Sequence, residues 1–349
     1  MANLSVTNVC NLNCPYCFAQ AYLAGKEHDT AVSFISLADF EKRLDFLERS
    51  HIHEIRLIGG EPTLHPQFPD LIRLAHRRGK HIVLFTHGLI AERALTALES
   101  LSPDDCTVLV NMNATRAMNG PTETESKRRF ETIQRLGPRV LPGFNIYRPD
   151  FQLDFLLPLI EETSCRRAIR LGLAQPILDS HNEYLHPKQY PFVGQKVAQF
   201  ARRAAAQTVS LEFDCGFVRC MFTDDAIETL LQAKANFGWH CNPILDVDID
   251  GQVFHCFPLS GQMRMPFAGT ETTVLRQQFI SQTNHYRLAG IFRECSTCPF
   301  KQSGECSGGC LASTMRRFRH SPVQLKVPLS LVDSAVKQFH PGQESLVPQ

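Results

Sequence analysis

Apolar positions along this chain recur with two periods. Short runs at residues 4–9, 54–58, 81–85, 107–112, 140–147 and 168–174 read as strands. Between them lie amphipathic stretches, such as 36–50, where Leu37, Phe40, Leu44 and Leu47 recur at helical spacing, and 68–78. Strand and helix in repeated alternation predict a parallel sheet whose functional loops gather at the carboxyl ends of the strands. The expected architecture is α/β, a partial (β/α)6 TIM-like barrel. After a helical stretch at 189–206 the pattern changes, and a strand-like run at 209–213 leads into a region rich in cysteine. The boundary is therefore set near residue 207, with a barrel over 1–206 and a small cysteine-rich domain and tail over 207–349. The alternative assigns the strand before Cys215 to the outer edge of the barrel.

At 349 residues the chain has room for one large α/β barrel plus a smaller module, or for two ordinary domains. Lys plus Arg (36) nearly balances Asp plus Glu (35), so no net basic field favours nucleic acid as a partner. The run Arg316-Arg317-Phe318-Arg319 reads as a solvated helix face. No run of about eighteen apolar residues predicts a membrane span, and the start of the chain has no export signal, so a cytoplasmic location is expected. Thirteen cysteines in such a chain, clustered at short spacings, point to metal or iron-sulfur ligation and away from disulfides. Cys106 and Cys165 precede predicted strands, at the amino end of the barrel, and read as small buried hydrophobes.

The densest chemistry follows the first predicted strand. Cys10-Asn11-Leu12-Asn13-Cys14-Pro15-Tyr16-Cys17 places three cysteines at C-x3-C-x2-C spacing. Three thiolates on one loop can each hold one iron of a cubane [4Fe-4S] cluster, whereas an electron-carrying cluster normally takes four. The spacing alone also fits a zinc site or a disulfide framework. Just past the second predicted strand stands Gly59-Gly60-Glu61-Pro62. Its glycines permit close backbone approach to a ligand, and its carboxylate or carbonyls can accept hydrogen bonds from an ammonium group. A structural turn is the plainer reading of Gly-Gly by itself.

Together these motifs resemble the radical S-adenosylmethionine (radical SAM) enzymes. The resemblance implies that Cys10, Cys14 and Cys17 hold a [4Fe-4S] cluster whose open iron is chelated by the amino and carboxylate groups of S-adenosylmethionine. The reduced cluster then cleaves that molecule to methionine and a 5'-deoxyadenosyl radical, with electrons from a flavodoxin or ferredoxin-type donor. Tyr16 would lie near the adenine, and Gly59, Gly60, Glu61 and Pro62 would form the GGEP-type motif that binds the amino group. Thr86-His87-Gly88 resembles the family's T-N-G segment, with His87 replacing asparagine. Asn111, Asn113, Asn145 and Arg170, near the ends of later strands, are further candidates for the ribose or carboxylate.

The C-terminal third carries eight more cysteines. Cys241 and Cys256 stand in the pattern C-x9-G-x4-C around Gly251, and Asp248-Ile249-Asp250-Gly251 predicts a hairpin turn between paired strands. Cys295, Cys298, Cys306 and Cys310 follow as C-x2-C-x7-C-x3-C. This order resembles the SPASM domain, which carries auxiliary [4Fe-4S] clusters, so one or two such clusters are expected here. Two departures stand out. The loop between Cys298 and Cys306 is longer than the usual five residues, and no cysteine follows Cys310 where the pattern has a last ligand. Two upstream cysteines, Cys215 and Cys220, occupy what is normally one place. The missing ligand has three candidate substitutes: the spare upstream cysteine, His320, or an open iron facing substrate. A pairing of Cys215, Cys220, Cys241 and Cys256 on one cluster, with the last four on another, also balances the count. Whichever of Cys215 and Cys220 is not a ligand is a candidate hydrogen donor. Taken alone, the region also fits a zinc module of four thiolates.

The leading expectation is a radical SAM enzyme with a SPASM/twitch domain, acting on a peptide or protein to form a cross-link, dehydrogenate a residue or carry out a related maturation. The cysteine loop begins at residue 10, leaving no leader-binding domain before the barrel, so a separate recognition protein is expected for a ribosomal peptide. The alternatives are the same chemistry on a small molecule, such as a sugar, nucleoside or cofactor precursor, and a non-catalytic iron-sulfur or zinc scaffold.

Overall fold

The computed structural model describes residues 2–24, 33–113, 122–267 and 270–319. Seven strands run parallel in sequence order: β1 (Ala2–Thr7), β2 (Glu54–Gly59), β3 (His81–Thr86), β4 (Cys106–Asn111), β5 (Val140–Ile146), β6 (Ala168–Leu173) and β7 (Ser210–Phe213). Three short strands, β8 (Asp246–Val247), β9 (Gln252–Phe254) and β10 (Arg264–Pro266), continue the same sheet on the far side of β1. The six strands read from sequence are all present. The run at 209–213 joins them as β7, pairing in parallel with β6 in the register Ala168↔Ser210, which is the outer-edge placement.

The helices are α1 (Gln20–Ala24), α2 (Leu37–Arg49), α3 (Phe68–Arg77), α4 (Glu92–Glu99), α5 (Glu123–Leu136), α6 (Leu156–Glu162), α7 (Tyr190–Ala206), α8 (Asp224–Gln232), α9 (Thr272–Ala289), α10 (Pro299–Gln302) and α11 (Leu311–Arg319). Local chemistry sets several of their starts. Ser36 caps α2 by accepting from the Asp39 N–H, and Thr122 with Glu125 forms a reciprocal capping box on α5. From α2, Phe40, Leu44 and Leu47 are fully buried against the sheet. No described helix is long and apolar enough to cross a membrane.

Strand alternation decides what faces the inside. In β1, Ala2, Leu4 and Val6 pack into the main core, so Asn3, Ser5 and Thr7 point to the opposite face. Register then aligns Arg56 of β2, Asn3 of β1 and Asp246 of β8 in one row. The expected hairpin forms between β8 and β9, where Asp248 Oδ1 accepts from the N–H groups of Asp250 and Gln252 and Gly251 adopts φ +79°.

The end of β2 fixes the cysteine loop. The Gly60 N–H donates to Thr7 O at 2.9 Å and the Glu61 N–H to Val9 O at 2.8 Å. A Cβ at Gly60 would overlap the Val9 carbonyl, and one at Gly59, whose φ is +136°, would overlap that of Thr7. These two glycines admit the backbone that leads into Cys10. Gly60→Ala is expected to lower unfolding free energy by about 1–3 kcal/mol through overpacking, whereas Gly261→Ala, with open space around it, should change it little. Chemical denaturation of both variants checks this, and equal effects would remove the special role given to Gly60.

Candidate functional site

One cavity of about 220 Å³ opens at the carboxyl ends of the parallel strands. Cys10, Cys14 and Cys17 line it, and so do Cys215, Cys241, Cys256 and Cys310. No disulfide joins any of the cysteines. The first three sit on a turn in which the Cys17 N–H donates to Cys14 O at 3.1 Å. Burial is the main cause that pushes the Cys14 thiol up, and it carries that of Cys17 up to about 12. Iron bound to these sulfurs would hold them ionised against that shift.

Glu61 is almost fully buried beneath the loop. Its Oε1 accepts from the Thr63 N–H at 3.1 Å, the Thr63 hydroxyl at 2.6 Å and the Thr86 hydroxyl at 2.9 Å, and its Oε2 from the His87 N–H at 3.0 Å. The carboxylate thus welds the ends of β2 and β3 together, and both it and the two glycines also line the cavity. His87 extends this connection. Its Nδ1 accepts from the Leu89 N–H at 3.0 Å, so its proton sits on Nε2, which donates to Asn11 Oδ1 at 2.8 Å within the cysteine loop. Burial lowers the His87 pKa, in keeping with a neutral ring.

The other sequence candidates divide. Tyr16, Thr86, Asn111, Asn145 and Arg170 line the cavity, whereas Pro62 and Asn113 do not. Tyr16 stacks on Tyr147 at 4.7 Å between ring centroids, and its hydroxyl accepts from Asn111 Nδ2 at 2.8 Å. Asn113 instead pins β5: it donates to Asn145 O at 2.9 Å and accepts from the Asn145 N–H at 2.7 Å. Arg170 lies over the Phe85 ring at 5.2 Å and forms an ion pair with Asp214, the neighbour of Cys215.

The downstream cysteines form two groups. The Cys215 thiol interacts electrostatically with Cys241 and Cys310, and Cys256 with Cys310, Cys241 and Cys215. Cys215 is exposed only in that it faces this cavity, and protein around it pushes its thiol well up. Cys220 interacts with Cys295, Cys306 and Cys298. The balanced pairing would instead set Cys220 with Cys241 and Cys256, whereas its strongest sulfur neighbours are Cys295, Cys306 and Cys298. His320 lies outside the described residues. Cys106 and Cys165 are buried away from both groups at the amino ends of β4 and β6.

Sequence reasoning missed several residues of the site. Arg129, buried on α5, donates to His87 O at 3.0 Å, and its charge opposes the rise of the Cys14 pKa. Asn3, Arg56 and Asp246 give the cavity a polar floor. The polar alternation of Asn3, Ser5 and Thr7 along β1 was the available signal. Arg287 of α9 donates to Cys241 O at 2.5 Å and to His255 Nε2 at 2.7 Å, beside two of the cavity cysteines.

Fold and site together define a class, and residues 4–146 match the Radical SAM superfamily. The match ends before the cysteine-rich C-terminal region, which lies outside residues 4–146. It is 39% identical over 92 residues to 7,8-dihydro-6-hydroxymethylpterin dimethyltransferase of Methanocaldococcus jannaschii, covering 26% of this chain and 17% of that protein. It is 27% identical over 140 residues to GTP 3',8-cyclase of Chlorobaculum tepidum, covering 40% of each. The chain thus spans less than half the length of these curated relatives. Over nearly its whole length it shares the fold of native anSMEcpe with bound AdoMet, with a TM-score of 0.63, 18% identity, and 97% of this chain and 96% of that one covered. It also shares the fold of Streptococcus suis SuiB bound to S-adenosylmethionine, with a TM-score of 0.61, 12% identity and 90% and 74% covered.

Two predictions follow from the polar groups. Glu61→Gln would turn an amide N–H toward donors that need an acceptor, and is expected to cost about 1–3 kcal/mol of stability. A variant as stable as wild type in denaturant titration would contradict the network. Asp246 is fully buried, which pushes its carboxyl up to about 8, against about 3.9 for an unperturbed aspartate. Between those values the folded chain holds a proton that the unfolded chain has lost, so this group's contribution to stability falls as pH rises. Asp246→Asn should flatten that loss between pH ~5 and ~8, and matching pH profiles of variant and wild type would show that Asp246 ionises freely in the fold.

Proposed function

We propose that the chain is a radical SAM enzyme that reductively cleaves S-adenosylmethionine and abstracts a hydrogen atom from a peptide or protein substrate. The observation that carries this reading is one cavity lined both by Cys10, Cys14 and Cys17 and by Cys215, Cys241, Cys256 and Cys310. The first set fits a [4Fe-4S] cluster with an open iron, on a loop seated over Gly60 where no side chain would fit. When bound, that cluster with S-adenosylmethionine supplies a 5'-deoxyadenosyl radical able to take hydrogen from an unactivated C–H bond. The chain's own residues orient and shield it. Tyr16, held by Asn111 and stacked on Tyr147, offers an aromatic wall for the adenine, and Asn145 and Arg170 offer polar contacts to the ligand.

Cys215, Cys241, Cys256 and Cys310 fit four-thiolate ligation of an auxiliary [4Fe-4S] cluster. That use leaves Cys215 no role as a hydrogen donor. A reduced flavodoxin or ferredoxin-type protein would supply the electrons. The peptide assignment draws support from the whole-chain likeness to anSMEcpe, which is also described with a bound Kp18Cys peptide, and to SuiB bound to precursor peptide SuiA. The identities named for GTP 3',8-cyclase and the pterin dimethyltransferase favour a second reading, the same chemistry on a small molecule.

Anaerobically reconstituted and reduced protein should convert S-adenosylmethionine to 5'-deoxyadenosine, measured by liquid chromatography. Cys14→Ala should reduce this to background, since the cluster loses one of the three thiolates that hold it. Cleavage surviving the substitution would sink the assignment. Deuterium transfer into 5'-deoxyadenosine from labelled peptides, set against labelled nucleotides and pterins, separates the two substrate classes.

A further inference from the structure

Besides the buried Cys106 and Cys165, four cysteines remain that do not line the cavity. Cys295, Cys298 and Cys306 follow one another through short turns, in which the Cys298 N–H donates to Cys295 O at 3.4 Å and the Cys306 N–H to Phe300 O at 2.9 Å. Cys220 arrives from the opposite direction, on the 3-10 turn Arg219–Met221 that follows β7. Arg219 clamps the two segments together. Its guanidinium stands 4.6 Å from the centre of the Phe300 ring, and its Nε lies 3.7 Å from Glu305 Oε1. Phe300 and Glu305 both belong to the loop between Cys298 and Cys306, so the clamp sets Cys220 against that loop. The surroundings suit anionic sulfur. Lys301 interacts electrostatically with Cys295, Cys306 and Cys298, and the Gly308 N–H donates to Cys306 Sγ at 3.4 Å.

We propose that Cys220, Cys295, Cys298 and Cys306 hold a second auxiliary [4Fe-4S] cluster, with Cys220 replacing the ligand that the SPASM pattern places after Cys310. This rests on the auxiliary-cluster reading given under Proposed function and extends it to a site of different ligand order. In a cubane each thiolate binds its own iron, so four cysteines brought to one place by the clamp match the four irons. Four thiolates fill every iron of a cubane, and none of these four lines the cavity. This second cluster therefore has no open iron and does not touch the substrate; both features restrict it to carrying electrons.

The test counts iron in full-length protein reconstituted anaerobically, starting from a background with Cys10, Cys14 and Cys17 changed to alanine. That background is expected to hold about eight irons, four per cubane. Adding Cys220→Ala with Cys295→Ala should leave about four irons, because both residues serve one cluster. Adding Cys215→Ala with Cys220→Ala should leave almost none, because these two serve different clusters. The reverse pattern, in which the Cys220 and Cys295 pair removes all iron and the Cys215 and Cys220 pair removes half, would overturn the proposal. So would a background of only about four irons that Cys295→Ala leaves unchanged. A background that binds zinc or no iron would instead overturn the auxiliary-cluster reading itself. Serine versions of the same pairs, checked for native circular dichroism, guard against loss of iron through misfolding.

Discussion

Everything at this site depends on how closely the end of β2 approaches the loop that carries Cys10, Cys14 and Cys17. A loop of eight residues with three cysteines has no core of its own, and its backbone groups need fixed partners before its thiols can share one cluster. Gly59 and Gly60 supply the space, and the N–H groups of Gly60 and Glu61 supply the bonds, to Thr7 and Val9. Glu61 then carries the constraint sideways through Thr86 and His87, and His87 returns it to Asn11 inside the loop. The chain closes a ring of contacts around the thiols with neutral or fully bonded groups. Such a ring adds no mobile charge next to the sulfurs.

This changes the meaning of the glycine motif. Read from sequence, its glycines admitted a ligand and its carboxylate awaited an ammonium group. In the fold, the first thing the glycines admit is the protein's own backbone, and the carboxylate already accepts four hydrogen bonds from protein donors. The two roles are compatible, because Gly59, Gly60 and Glu61 all face the cavity as well. A position that both seats the cluster loop and borders the ligand has little freedom to vary for either reason.

Much of the fold was legible because strand and helix periods differ so plainly along the first half of the chain. The seventh strand was harder to place, since its four residues match an edge strand as well as the start of a new unit; only pairing with β6 decides. The cysteine motifs were legible as motifs, because thiols at fixed short spacings have few other uses. Their partition into groups was not, since it depends on where a turn after β7 points Cys220, and no local pattern encodes that direction. Arg129 and Asp246 were invisible for a related reason: each sits in an ordinary helix or strand and gains its role only from what packs against it. The bonds of Asn113 to the backbone of the next strand were equally invisible, since a polar side chain at a strand end carries no local mark of its partner.

The two halves of the cavity meet at Arg170. Its guanidinium rests on Phe85, whose strand ends in the Thr86 and His87 segment that grips Glu61, and it pairs with Asp214, which adjoins Cys215. A half-buried arginine stacked on an aromatic face and paired with a carboxylate is restricted in more than one direction at once. That contact links the strand that ends at the Glu61 network to the segment that carries Cys215, and Phe85, Arg170 and Asp214 all border the cavity. On the other side, Asn3, Arg56 and Asp246 close the floor with polar groups where a parallel barrel usually packs branched apolar layers. The rest of the lining is largely apolar, so these polar groups and the two sets of thiols stand as discrete contacts in a space whose shape is set by packed side chains.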